Sequence, residues 1–364
     1  MRLCFIAPVF YRIFFLLQGL LYLYSMRLVR HPVLCNYYVT YRCNASCGFC
    51  DIWERPSPYV TPEQVEQNLR QLRKLGVRVI DFTGGEPLLH RQIDELLRLA
   101  KSMGFITTLT TNGLLYPKWA QRLQGLVDML HFSLDSPHRE EHNVSRGVAC
   151  YDFVVESIAV AKALGERPDI LFTVMENNVH QIGEVYEKFS EPNGLVLILN
   201  PIFEYKQVAT GGGLSAESLQ KLKRWGRKTG VYLNNGFVGL RQDGGNNTEA
   251  PVCLAGSTTV VISPENKLVL PCYHLGLQEF PINGQLQALY YSAEVQALIA
   301  QEGRLPECQG CTINCYMQPS FAVQVNKYFW QALPSTLKYN LMKGTWKSLF
   351  RQKASQEHMQ IRGE

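Results

Sequence analysis

The chain has no acidic residue in its first 50 positions and none between 308 and 356. The first stretch holds five arginines, and the second holds Lys327, Lys338, Lys343, Lys347, Arg351 and Lys353. The net charge is +5, so residues 51 to 307 carry −5 once the tail beyond 356, at −1, is set aside. The basic charge therefore lives at the two ends. An unbroken apolar run of about 20 residues, the length that crosses a bilayer, is also missing. The N-terminal run is interrupted by Arg12 and Gln18, and Ile13 to Tyr24 is too short. Leu23-Tyr24-Ser25 is a poor cleavage site, which disfavours a signal peptide. There is no low-complexity tract and no repeat beyond a strand–helix alternation. The 11 cysteines do not form a secreted disulfide framework. The chain is large, and eight of them fall into two groups with metal-like spacings. We read a protein of the reducing cytosol.

Hydrophobic residues make up 46% of the chain and charged ones 18%, which predicts a sizeable buried core. Both basic ends are aromatic: Phe14, Phe15, Tyr22 and Tyr24 at one, Trp330, Tyr339, Trp346 and Phe350 at the other. That composition suits a helix lying in a membrane interface, with anionic headgroups favouring the basic side. It suits equally helices packed on the protein's own core. The interfacial reading places the protein peripherally on the inner face of the membrane. No nucleic-acid partner is expected.

From residue 35 onward strand and helix patterns alternate, which predicts an α/β fold with a parallel sheet. Strands are expected at Asn36 to Arg42, Val77 to Phe82, Ile106 to Thr111, Met129 to Leu134, Ile170 to Met175 and Leu195 to Leu199. Thr61-Pro62-Glu63-Gln64 is a helix start, with Thr as cap and Gln three residues on. Six such units make a partial (β/α)6 barrel of the TIM type, open on one side. Glycine and asparagine cluster at 243 to 247, read as the boundary to a small Cys-rich C-terminal domain. The expected parts are an apolar basic segment 1–34, a core 35–245, a Cys-rich domain 246–318 and a basic aromatic helical tail 319–364.

Loops after the strands build the site of a parallel α/β barrel, and the chemistry-bearing residues collect there. Cys43, Cys47 and Cys50, in C-x3-C-x2-C spacing, follow the first strand. Gly84-Gly85-Glu86-Pro87 follows the second, Thr111-Asn112-Gly113 the third, and Ser133 with Asp135 closes the fourth. Three thiolates grip one metal centre and leave a fourth position open, as a catalytic metal needs. The alternative is a zinc site, for which Asp51 and His90 are poor fourth ligands.

With an aromatic residue before the last Cys and Gly-Gly-Glu-Pro after the second strand, residues 35 to 235 resemble the radical S-adenosylmethionine (SAM) superfamily. The resemblance implies a [4Fe–4S] cluster on Cys43, Cys47 and Cys50 whose fourth iron chelates SAM. It places Phe49 near the adenine. It sets Gly84, Gly85 and Glu86 against the methionine ammonium. Ser133 and Asp135 would approach the ribose or methionine moiety, and Arg146 would meet the SAM carboxylate. It also implies reductive cleavage to a 5′-deoxyadenosyl radical that takes hydrogen from a substrate, and a low-potential electron donor of the flavodoxin or ferredoxin type.

Cys253, Cys272, Cys308, Cys311 and Cys315 form the second group. Cys253 and Cys272 flank an expected hairpin, Thr258 to Ile262 and Leu268 to Leu270, turning at Asn266, which tolerates a left-handed backbone. This region resembles the SPASM and twitch extensions, which hold auxiliary [4Fe–4S] clusters. Five cysteines, not the seven of the full SPASM pattern, imply one auxiliary cluster on four of the five. A zinc site is the alternative. The basic aromatic ends suggest a lipid or isoprenoid-derived substrate at a membrane surface. The C-terminal extension suggests a peptide-modifying enzyme. A third reading is a non-catalytic iron–sulfur or zinc-binding protein. No general acid, base or radical-quenching residue stands out, and Cys4, Cys35 and Cys150 read as small core residues.

Overall fold

The computed structural model describes residues 31–203 and 213–344. The N-terminal interfacial-helix expectation, Cys4 and residues 345–364 lie outside the described residues.

Seven parallel strands follow one another in chain order: β1 Leu34–Thr40, β2 Val79–Gly84, β3 Ile106–Thr111, β4 Met129–Ser133, β5 Asp169–Val174, β6 Leu197–Pro201 and β7 Val231–Tyr232. The first six are those read from the sequence, shifted by two residues at most. The seventh is two residues long and leaves no periodicity to read. The sheet does not close, so the barrel is partial.

The intervening helices form for local reasons. In α1 (Pro62–Leu75) Thr61 Oγ1 accepts from the Gln64 amide and the Gln64 side chain accepts from the Thr61 amide, a reciprocal cap. Gly76, at φ 96°, ends the helix in the left-handed conformation. Helices α2 (Ile93–Ser102), α3 (Tyr116–Leu123), α4 (Arg139–Arg146) and α5 (Tyr151–Ala163) alternate with the next strands. The helix-facing strand residues Ile80, Phe82, Leu109, Leu130, Phe132, Ile170, Phe172, Leu197 and Leu199 form one core with Leu69, Leu97 and Val154.

The hairpin lies where expected, at β8 (Thr259–Ile262) and β9 (Lys267–Leu270), with Asn266 at φ 58°. Its place in the fold differs from a separate Cys-rich module. Strand β8 pairs in parallel with β1, and β9 then pairs with β10 (Gln278–Pro281), so one ten-stranded sheet runs through both regions. A contact between β1 and a strand more than 200 residues away has no local signal.

Three of the later helices bear on the site and the tail: α6 (Asn235–Gln242), α7 (Asn314–Val323) and α8 (Lys327–Lys343). The described part of the basic tail packs on the core. Lys338 Nζ donates to the carbonyls of Gly226 (3.0 Å) and Lys228 (2.6 Å). Lys343 Nζ lies 2.9 Å from Asp169 Oδ1, with both side chains nearly excluded from solvent, and Tyr339 donates to Asp169 Oδ2 at 2.7 Å. No described helix is long and apolar enough to cross a membrane. Removing one partner of a buried pair strands the other. Lys343→Ala should therefore cost about 3 kcal/mol in urea unfolding, and adding Asp169→Ala to it should cost less than the sum of the single changes.

Candidate active site

The Cys43–Cys50 loop is fixed from three sides. The Ser46 and Gly48 amides donate to the carbonyls of Arg146 and Ser145, at the end of α4. Asn112, in the loop after β3, donates from Nδ2 to Asn44 Oδ1 at 2.8 Å. The Gly85 and Glu86 amides donate back to the Thr40 and Arg42 carbonyls, both at 2.9 Å. That close approach explains the two glycines: a Cβ on Gly84 would drive into the Thr40 carbonyl, and one on Gly85 into that of Arg42. Gly84 also sits at φ 145°, which side-chain-bearing residues rarely adopt.

Glu86 is buried, and its carboxylate is already occupied. Oε1 accepts from the Leu88 amide (3.0 Å) and Thr111 Oγ1 (2.8 Å), and Oε2 from the Asn112 amide (2.9 Å). Burial pushes it up to about 7 in spite of these donors. Its side chain thus locks the loop after β2 to the loop after β3.

Arg146 is the central cation. Its Nη2 lies 2.6 Å from Asp135 Oδ2, its Nη1 is 3.9 Å from Cys47 Sγ, and the guanidinium sits 5.3 Å from the centroid of the Phe49 ring. Burial works hardest against the charge, but Asp135 together with Cys47 and Cys150 outweighs it and holds the group's pKa up. Asp135 Oδ1 also accepts from the Thr173 amide. Beside this pair lies a cavity of about 530 Å³ lined by Phe49, Asp135, Ser136, Met175, Asn177 and Asn178 among others. The last three escaped sequence reading. Asn178 Nδ2 donates to the Asp135 and Thr173 carbonyls, and its Oδ1 accepts from the Met175 amide. The only signal available was its position in the loop after β5.

His142 and Cys150 make a pair that sequence reading missed. Cys150 Sγ is 3.3 Å from His142 Nε2, while His142 Nδ1 accepts from the Asp135 amide. Both are fully buried. Burial, then the Arg146 charge, drives the imidazole down to about 3, and burial drives the thiol up to about 11. A thiol and imidazole so poised are inert as a nucleophilic dyad; they hold Asp135 in place.

Residues 37–189 match the family model for the radical SAM superfamily. The chain carries a radical SAM domain. It is 27% identical to a probable GTP 3′,8-cyclase of Sulfurisphaera tokodaii over 255 residues, which is 63% of this chain and 78% of that protein. It is 35% identical to one of Methanocella arvoryzae over 134 residues, 36% of this chain and 43% of that protein. Other proteins of that name match over about half of their length. In fold it is similar to Streptococcus suis SuiB bound to S-adenosylmethionine, with a TM-score of 0.59 at 20% identity, covering 80% of this chain and 76% of that one. It is similar also to anSMEcpe with bound AdoMet, with a TM-score of 0.59 at 18% identity, covering 85% and 99%.

Radical SAM enzymes use a [4Fe–4S] cluster and SAM, and the residues present fit both. Cys43, Cys47 and Cys50 are free thiols on one loop. Among the described residues no three ligating side chains converge tightly enough for a single metal ion, and a cubane, whose thiolates bind different irons, does not require that. Around the cavity, Arg146 Nε, Ser145 Oγ and Gln181 Oε1 are buried without hydrogen-bond partners among the described residues. Such orphans are costly unless a ligand meets them.

The second cysteine group also converges. Cys272 and Cys311 are each close enough to raise the pKa of neighbouring thiols, Cys253 and Cys315 among them. Buried Asn246 organises the loops. Its amide donates to the Cys311 carbonyl (3.0 Å), its Nδ2 to the Cys308 carbonyl (3.1 Å), and its Oδ1 accepts from the Cys253 amide (3.3 Å). Asn246, the first residue of the expected Cys-rich domain, thus clamps three of that domain's cysteine loops. Cys315 stands apart. It begins α7, is exposed by area, and has Sγ 4.0 Å from His274 Nε2, yet burial pushes its thiol up to about 12. A side chain both open and desolvated faces an interior space.

His142 also gives this domain a pH signature. Its folded pKa lies below the unfolded one, so the unfolded chain binds the extra proton between about 6.5 and 3, and stability falls as pH drops through that window. Between pH 7 and pH 5 the loss should be about 2 kcal/mol. Urea titrations of His142→Asn, which keeps an acceptor near Nδ1, should show that dependence flattened.

Proposed function

We propose that this radical SAM enzyme abstracts a hydrogen atom from a substrate held in the barrel, with Cys43, Cys47 and Cys50 as ligands of the catalytic cluster. The observation that carries this reading is the convergence of the Cys loop, the Gly84-Gly85-Glu86 loop and the Arg146–Asp135 pair on one mouth. When bound, the cluster supplies one electron to SAM, giving methionine and a 5′-deoxyadenosyl radical. In this reading Phe49 and the 530 Å³ cavity receive the adenosine half, and Asp135 and Ser133 lie toward the ribose or the methionine. Gly84 and Gly85 offer backbone to the methionine ammonium. Glu86 fixes that backbone through three hydrogen bonds, and Oε2, which accepts only from the Asn112 amide, has a further lone pair for the ammonium. Arg146 meets the carboxylate through a guanidinium fork suited to it. A flavodoxin- or ferredoxin-type donor provides the electron. For the auxiliary [4Fe–4S] cluster the ligand set we favour is Cys253, Cys272, Cys308 and Cys311, three of them tied to Asn246, leaving Cys315 free. Anaerobically reconstituted protein with dithionite and SAM should release 5′-deoxyadenosine. Cys47→Ala should release none, and iron analysis should find Cys315→Ser fully loaded but Cys308→Ser about four irons short. Release from Cys47→Ala would sink the catalytic assignment.

A second reading concerns where the enzyme works. Helix α8 exposes an apolar stripe of Trp330, Leu337 and Leu341, the last 76% accessible, at spacings that keep them on one face. Its lysines are turned to the protein, Lys327 toward Asp243 and Lys338 and Lys343 as above. Attraction to anionic lipid would therefore fall to Lys347, Arg351 and Lys353. This supports peripheral membrane docking and access to a membrane-borne substrate; a peptide substrate is the alternative. The full chain should co-sediment with phosphatidylglycerol vesicles, and Leu337→Glu with Leu341→Glu should reduce binding roughly tenfold or more. Equal sedimentation of the variant would count against docking through this face.

A further inference from the structure

Strands β2 to β6 bury their helix-facing side chains and leave the other face partly open, whereas β1 and β7 are buried on both faces. On β2, β5 and β6 the helix-facing side chains are buried, while Asp81, Thr83, Leu171, Thr173, Ile198 and Asn200 between them are half-buried. On β3 and β4 the half-buried residues include Thr110 and His131. Strand residues alternate between faces, so the half-buried set points into a lumen with room inside it. Helix α7 begins beside the same space, with Cys315 in its first turn exposed by area. Asn314 Nδ2, beside it, donates to Asn200 Oδ1.

The lining has a definite chemistry. None of the seven parallel strands contains a lysine or an arginine. Their ionisable acids and histidine are Asp81, His131 and Asp169. Asp169 is satisfied from below by Lys343 and Tyr339, and it lies 3.4 Å from His131 Nε2. His131 Nδ1 is 3.2 Å from Thr110 Oγ1, while Nε2 is buried with no hydrogen-bond partner among the described residues. Asp81 accepts from Thr108 Oγ1, and burial raises its pKa. A desolvated carboxyl is stabilised by a donor or a cation and destabilised by an anion. Opposite the polar wall, Leu171 and Ile198 supply an apolar one.

We infer that this lumen is the substrate pocket and that it takes an uncharged or cationic molecule bearing hydroxyl or amine groups, received by Asp81, Thr110 and His131, rather than a phosphorylated one. The inference rests on the catalytic reading above and narrows its substrate. It separates this chain from relatives named as GTP cyclases, since a triphosphate needs several cations to offset its charge and these strands offer none.

The test is binding first and turnover second. A metabolite extract of the source cells is split by anion exchange into an unretained pool, neutral and cationic, and a retained anionic pool; a lipid extract and GTP are added as separate probes. Each is equilibrated with reconstituted protein and SAM, and ligands held on ultrafiltration are identified by mass spectrometry. The expected result is retention of a non-phosphorylated compound, from the unretained pool or the lipid extract, reduced roughly tenfold or more by Asp81→Asn, with 5′-deoxyadenosine release rising only when its source is present. Thr110→Val gives the same comparison if Asp81→Asn fails to load iron. Retention of GTP or of other phosphorylated compounds, phospholipids included, overturns the inference. So does equal retention by the variants, or no retention at all. Retained ligand without any 5′-deoxyadenosine would instead reject the catalytic reading and leave the pocket assignment standing.

Discussion

The Arg146–Asp135 ion pair, 2.6 Å long and almost wholly excluded from solvent, joins the parts of the barrel mouth. Arg146 ends α4, and its carbonyl receives an amide from the cysteine loop. Its guanidinium lies against Phe49 and near Cys47. Asp135 reaches across to β5, and His142 holds its amide from behind. Burying two charges costs several kcal/mol per ion, offset only where geometry and further hydrogen bonds are good. Here the cost falls at the one place where the loops after β1, β4 and β5 must keep a common register.

Around this pair the fold divides its labour by strand face. The outward face is apolar and packs against helices, giving stability. The inward face is polar and leaves space, at the expense of desolvating Asp81 and Asp169. Lys343 and Tyr339 offset the Asp169 burial from the far end of the chain. The basic tail is therefore, in its described part, a support for the barrel floor, whatever its exposed stripe meets.

Much of this was legible in the sequence. The alternation of periods placed six strands within two residues, and the Thr61-to-Gln64 cap and the Asn266 turn are local devices with local signals. The cysteine spacings and the glycine pair were legible because each residue's chemistry acts within a few positions of its neighbours. Less could be read where a residue works through a distant partner. Glu86 reads as a ligand for an ammonium, and nothing in its local sequence shows that it also ties the loop after β2 to the loop after β3. The 243–247 cluster reads as a boundary, and its local sequence does not show that Asn246 ties together cysteine loops 7, 62 and 65 residues away. His142, Asn178 and His131 carry no motif at all.

The sequence by itself determined the alternating elements, the family, and which thiols are grouped, because these depend on propensity, period and spacing along the chain. Only the tertiary structure decided that β8 extends the barrel sheet, that Asn314 at the start of α7 meets Asn200 of β6, and that the lumen carries no cation on its strands. Those facts depend on which faces meet across hundreds of residues. Burial, not composition, sets what each charge there costs.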